Sequence, residues 1–256
     1  MKSKLLKAIT IALISINIIT YPINAEVVPK VSNMQEVEDI IYKHLINRDE
    51  NISFIYTGSS REFKNNIVET IKLAYSKDDY TERSWLQIKP NVNINSDEIS
   101  ANIKVDYLTN NEQEKFIDNQ IKEITDKLIN NNMSDYEKVK IINDYLVNRY
   151  EYDYTLSSSN VYSALTTNYT VCQGYSLTAY KMLKNVGIES RIGVGTNKGA
   201  SHSWNIVKIG DFWYHLDITN NDSTRSNKYF LVSDEFLEEN EYRWDKIQYP
   251  KALKNM

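Results

Sequence analysis

VCQGYSLTAYKMLKNVGIESRIGVG, residues 171–195, changes periodicity partway along its length. Leu177, Tyr180, Met182 and Leu183 recur at helical spacing, and Gly187 supplies a stop. IESRIGVGT then reads as a strand, followed by HSWNIVKI from residue 202 and DFWYHLD up to residue 217. The order is therefore a helix with a cysteine at its start, then three successive antiparallel strands. That order predicts an α+β fold with helices packed against an antiparallel sheet.

The register of the last hairpin decides which side chains meet. A loop at Ile209-Gly210 places His202 directly opposite Asp217, with Cβ atoms about 5 Å apart. A loop at Gly210-Asp211 makes the two diagonal neighbours. In both registers His202, Trp204 and Ile206 share a face with Trp213, His215 and Asp217, and Asn205, Val207, Phe212, Tyr214 and Leu216 occupy the other. A carboxylate that accepts from one imidazole nitrogen fixes the tautomer and leaves the second nitrogen for proton transfer.

Cys172, the only cysteine in the chain, is the candidate nucleophile for that pair. At a helix start its thiol lies among unpaired amides at the positive end of the dipole, which favours thiolate, as does a neighbouring imidazolium. Its backbone amide is the first candidate oxyanion donor. Tyr162, Gln173 and the indole of Trp204 are candidates for the second donor or the pocket. Gly174 is expected to let another chain or substrate approach the first helical turn.

Plainer readings exist for each residue. Cys172 can be an inert buried residue or form an intermolecular disulfide, His202 can be an edge histidine, and Asp217 can cap a turn. His215 reads as structural, and Trp204 and Trp213 as packing groups. Cys172, His202, His215 and Asp217 also carry donors acceptable to zinc. Thiol chemistry requires no metal and no cofactor.

Upstream, residues 34–48 read as a helix, 52–56 as a strand and 60–75 as a helix with Phe63, Ile67 and Ile71 on one face. SWLQI, 84–88, is expected to be a strand ending at Pro90, and Ile99, Ala101, Ile103, Val105 and Tyr107 alternate as on a half-buried strand. These make a small N-terminal α/β region, 26–108. The segment 109–256 begins with two helices, the first with Ile117, Ile121, Ile124 and Leu128 on one face. The second is opened by a Ser134/Glu137 capping box and buries Val139, Ile142, Tyr145 and Leu146.

The chain opens with Lys2, Lys4 and Lys7 before an apolar run and a small-residue end at Ala25, the pattern of a secretory signal peptide over 1–25. The expected destination is secreted or cell-surface associated, with no stable membrane insertion after cleavage. Removal of those three lysines leaves 27 basic and 34 acidic residues, a net charge of −7. That balance argues against a nucleic-acid partner. A lone cysteine permits no internal disulfide, so stability must come from the core.

VCQGYSLTAYKMLKNVGIESRIGVG and SHSWNIVKIGDFWYHLDITNND together resemble the transglutaminase-like superfamily, in particular its bacterial secreted members, over about 150–222. The resemblance implies a papain-like core in which Cys172, His202 and Asp217 are nucleophile, base and orienting acid. Asn220 stands where an aromatic residue is common. Members act on peptide or amide carbonyls through a thioester, by hydrolysis or by cross-linking a glutamine to an amine, and some related domains only bind. The expected function is hydrolysis of a protein or peptide substrate, cell-wall peptide among them. The alternatives are transamidation and a non-catalytic secreted binding module.

Overall fold

Two-residue alternation builds the first sheet. The computed structural model describes residues 28–95 and 98–256, and the leader expected over 1–25 lies outside them. The chain forms two compact units that divide after Asn111.

In the first unit, β1 (Lys30–Val31), β2 (Asn51–Tyr56), β3 (Trp85–Ile94) and β4 (Ile99–Tyr107) make a sheet of order β1-β2-β4-β3. Ile52, Phe54 and Tyr56 of β2 and Ile99, Ala101, Ile103 and Val105 of β4 all face inward. Against them pack α1 (Met34–Asn47), through Val37, Ile41 and Leu45, and α2 (Ser60–Ser76), through Phe63, Ile67, Ile71 and Ala74. Each of the valine, leucine, isoleucine and phenylalanine side chains among these, fully buried, stabilises the fold by about 1.5–3 kcal/mol before entropy is counted. Asn33 and Ser59 cap the two helices by accepting from Glu36 N and Glu62 N. A single turn, α3 (Asp79–Glu82), leads into β3.

The expected strand end at Pro90 is corrected. β3 continues to Ile94, with Pro90 opposite Ile103. β3 is an edge strand with β4 as its only neighbour, and an edge position tolerates the missing N–H.

The second unit begins with α4 (Asn111–Leu128) and α5 (Asp135–Arg149), the latter with the expected Ser134/Glu137 capping box. Ile117 and Ile121 of α4 are buried, and Thr125 completes that face by returning its hydroxyl to Ile121 O at 2.8 Å. On α5, Val139, Ile142 and Leu146 are buried as expected, but Asn143 takes the place expected of Tyr145. Its carboxamide is matched by Asn221 and Asn227 at 2.9 and 3.3 Å, so the buried amide is satisfied.

β5 (Glu151–Tyr152) and β6 (Tyr169–Thr170) pair in parallel on either side of α6 (Val161–Thr167). They lead into α7 (Cys172–Asn185), which ends with Gly187 at φ +78°. The main sheet follows: β7 (Ser190–Asn197), β8 (Ala200–Ile209), β9 (Phe212–Leu216), β10 (Phe230–Val232) and β11 (Tyr242–Trp244), in the order β10-β9-β8-β7-β11 and antiparallel throughout. The short helices α8 (Ile218–Thr224) and α9 (Asp234–Glu239) fill the connections after β9 and β10. α7 packs against β7 and β8 and also against α5, α6 and α8. This explains why it is buried almost all round, from Gly174 to Tyr180. The fold is the α+β arrangement expected: helices on an antiparallel sheet, with an N-terminal α/β region.

Candidate active site

Strand β8 turns alternate residues to opposite sides of the sheet. Ser203 and Asn205 face α7, with Ser203 Oγ 3.0 Å from Ser176 Oγ and Asn205 Nδ2 donating to Ser176 O at 3.0 Å. His202, Trp204 and Ile206 face the other way, where Trp204 and Ile206 join Tyr229, Val232, Leu237 and Tyr242 in an apolar cluster. Gly193 of β7 lies opposite Trp204, and a Cβ there would sit 2.8 Å from the indole. The ring therefore covers the glycine backbone.

The hairpin register is the diagonal one, which corrects the direct pairing of His202 with Asp217. Ile209 pairs with Phe212 and Ile206 with His215, so the loop is Gly210-Asp211. Gly210 has φ +57°, a conformation that glycine adopts freely and β-branched Ile209 does not. Asp217 therefore lies just beyond β9 as the N-cap of α8, where Oδ1 accepts from Asn220 N at 3.0 Å. It is a helix cap and a partner of His202 at once.

Asp217 is completely buried and surrounded by donors. Its Oδ2 lies 2.6 Å from His202 Nε2 and accepts from Asn220 Nδ2 at 3.0 Å and from Tyr242 Oη at 2.5 Å. Burial opposes its charge, but His202 and these donors outweigh burial and hold the carboxyl below its ordinary range. With Nε2 engaged by Asp217, Nδ1 is the His202 nitrogen left to act on the Cys172 thiol, whose pKa the ring lowers.

Cys172 is the first residue of α7 and half-buried. No side chain caps this helix at Val171, and the Cys172 N–H, in its first turn, has no intrahelical acceptor. Burial disfavours the thiolate. The His202 hydrogen bond and charge, with the Ser203 backbone and hydroxyl, more than offset burial and lower the thiol pKa. Burial likewise works against the His202 cation, yet Asp217 and Cys172 push its pKa up to about 10. Together these shifts favour a thiolate–imidazolium pair.

Gly174 serves a different purpose from the one expected. A Cβ there would fall 1.8 Å from Thr170 Oγ1, so the space is filled by the chain's own preceding strand.

A second histidine–carboxylate pair stands behind the first. His215 Nδ1 accepts from Trp204 Nε1 at 2.9 Å, and Nε2 lies 2.8 Å from Asp234 Oδ1. The Trp204 N–H is thereby engaged, which corrects its candidacy as an oxyanion donor. Its ring remains a wall, stacked on His202 at a centroid distance of 6.1 Å. Both ring nitrogens of His215 have partners away from Cys172, which takes His215 out of the donor set weighed for zinc. Among the described residues no group of three or more His, Cys, Asp and Glu is arranged to hold a metal ion. Tyr162 lies edge-on to Phe116 of α4 at 5.4 Å, and Gln173 is the half-buried second residue of α7.

The contacts of four neighbours escaped sequence reasoning. Ser203 adjoins His202 in sequence, and Asn220 donates to Asp217 from the first turn of the helix that Asp217 caps, so local signals existed for both. Tyr242 arrives from β11, 25 residues beyond Asp217. Tyr152 arrives from β5, close enough for the Cys172 charge to add to burial in raising its phenol pKa. Neither tyrosine carried a local signal.

Residues 122–218 match the model of the transglutaminase-like superfamily core. The structure is similar to a crystal structure described as a TGase, at 16% identity and a TM-score of 0.36, covering 66% of this chain and 51% of that one. A cysteine protease candidate from Cytophaga hutchinsonii is similar at 16% identity and a TM-score of 0.37, over 52% of this chain and 61% of that one. For a protease candidate from Parabacteroides distasonis the values are 12% and 0.32, over 50% of this chain and 35% of that one. The chain thus spans about half the length of the first two. No curated protein matches the sequence. Among the described residues no helix is long and apolar enough to cross a membrane.

Proposed function

We propose that this protein is a secreted cysteine-dependent hydrolase acting on peptide or amide carbonyls through a thioester. The observation that carries the reading is the chain of contacts from the Cys172 thiol through His202 to buried Asp217, at the uncapped start of α7. The match of residues 122–218 to the transglutaminase-like core supports it, and the leader at 1–25 supports export.

The Cys172 thiolate attacks the carbonyl carbon, and the oxyanion gathers at the Cys172 N–H beside the positive end of α7. Protonated His202 gives its Nδ1 proton to the leaving amine, and the thioester remains. Water attacks next, giving its proton to neutral His202; the C–S bond breaks, the acid leaves, and the Cys172 thiolate and protonated His202 are restored. Asp217 stays ionised throughout and holds the ring by Nε2.

Incubation of the mature protein with mixed peptides and a labelled primary amine, followed by mass spectrometry, tests both levels of the reading. Hydrolysed products that vanish with Cys172→Ala are expected. Amine incorporation without hydrolysis would replace hydrolase by transamidase, and equal product from C172A would remove thiol chemistry altogether, leaving a binding module.

A further inference from the structure

Just upstream of the nucleophile, a cavity of about 610 Å³ opens between the loop after β5 and the α6–β6 segment. That volume lies within the range of small-ligand pockets. The loop is pinned to the strand that leads into Cys172: Asp153 N donates to Thr170 O at 2.9 Å, and Val171 N and Thr170 Oγ1 both donate to Ser158 O at 3.0 Å. Tyr152 is common to cavity and thiol. It lines the cavity, pairs with Thr170 two residues before Cys172, and has its phenol pKa raised by burial and by the charge of the sulfur.

The wall offers rings and no open charge. Asp153 is its one carboxylate, and five donors already fill it: the Thr155 and Ser157 amides and hydroxyls and the Ser158 amide, at 2.6 to 3.0 Å. They hold this acid far below the usual carboxylate range. The other serine and threonine hydroxyls also turn into the wall, Ser158 to Tyr169 O at 2.6 Å, Ser163 to Asn160 O at 3.0 Å and Thr167 to Ser163 O at 2.7 Å. What remains for a ligand is the methyls of Thr155 and Thr167 and the rings of Tyr152, Tyr154 and Tyr169 with their phenol groups. Tyr154 is 86% exposed and Tyr169 49% exposed, and Tyr154 meets Tyr152 edge-on at 5.2 Å. A sugar needs matched donors and acceptors, and with the serine and threonine hydroxyl protons engaged only the three phenols could supply them. An acidic side chain would meet the charge of Asp153, and a basic one would find its oxygens occupied. An uncharged ring gains from offset or edge contact with the tyrosines.

We infer that this cavity is a subsite for an uncharged, ring-bearing side chain of the same peptide that presents its carbonyl to Cys172. The inference rests on the acyl-transfer reading above and adds to it the class of substrate: peptides with an aromatic residue close to the scissile bond. Tyr152 joins the two sites, and Tyr154 and Tyr169 set the preference.

Two kinds of thiol reagent test it. Iodoacetamide reports the reactivity of Cys172 alone. Peptidyl chloromethyl ketones report the subsite when either of the two residues before the reactive carbonyl is Ala, Phe, Lys or Glu. Phe at one of those positions is expected to speed labelling roughly tenfold over the others, in keeping with what apolar pockets discriminate. Tyr154→Ala with Tyr169→Ala is expected to abolish that advantage while leaving the iodoacetamide rate unchanged; both side chains are exposed enough for the double variant to fold. Equal rates for all four side chains, a preference for Lys or Glu, or protection of Cys172 by chitotetraose in place of a side-chain effect would each overturn the subsite. Those results leave the thiol chemistry standing, provided iodoacetamide labelling falls in His202→Ala. An iodoacetamide rate indifferent to His202 would sink the acyl-transfer reading and the subsite with it.

Discussion

Two histidine–carboxylate pairs sit on the same face of the β8–β9 hairpin, and what each ring meets beyond its carboxylate sets them apart. His202 with Asp217 and His215 with Asp234 are joined at 2.6 and 2.8 Å. By those distances they are equivalent. They differ in what the other ring nitrogen meets. For His202 it is the thiol at the start of α7; for His215 it is the N–H of Trp204. The His202 side chain keeps 11% exposure, whereas that of His215 is fully buried. A bond at each nitrogen fixes both rings, but only the first has a partner able to release and regain a proton.

The largest expected effect separates the pairs outright. Cys172→Ala should abolish peptide turnover and His202→Ala should lower it by about 10³-fold, in the range seen when members of a nucleophile–base unit are removed. Circular dichroism should remain that of the parent in both. If His215→Leu lowered turnover as far as H202A, the division of roles would break.

Stability should invert the order. His215→Leu leaves the buried indole N–H of Trp204 without its acceptor, at about 1–3 kcal/mol, while Asp234, one-fifth exposed, keeps the Ala252 N–H at 3.1 Å. Replacing His202 leaves Asp217 three donors, from Asn220 N, Asn220 Nδ2 and Tyr242 Oη. Urea unfolding should therefore show a larger loss for H215L than for H202L. Equal losses would contradict the environments described.

The pH dependence sharpens the comparison further. His202, raised to about 10, holds its proton below that pH and loses it above. Cys172, lowered from the ordinary thiol value, is thiolate above its own pKa and thiol below. The iodoacetamide rate should therefore fall on acidification, at a pH below that of a free cysteine, and change again near pH 10 as the imidazolium is lost. Turnover needs both charges and should fall on both sides. By linkage, the stability from raising the pKa of His202 is fully present below about 6.5 and lost as pH rises through about 10. An H202A profile matching the parent would refute the coupling.

The smallest effect concerns the support of the first pair. Tyr242→Phe removes one donor from Asp217 and leaves its helix-cap bond intact. A single hydrogen bond of this kind contributes about 1 kcal/mol, roughly fivefold in rate. The loss should appear in kcat with KM little changed, because Tyr242 positions the acid and lies behind the pair.

The sequence by itself determined the helix that starts at Cys172, the strands after it and the face shared by His202, Trp204, His215 and Asp217. Periodicity of 3.6 and of 2 is written in consecutive residues, and a face survives a register slip of two. It did not determine the partners. The register turned on whether Ile209 or Gly210 took the positive φ, Trp204 turned its N–H to His215, and Tyr242 reached Asp217 from a strand 25 residues away. Tertiary structure alone decided these matters, because a hydrogen bond depends on ångström distances between side chains that packing brings together. No local pattern in the chain encodes those distances.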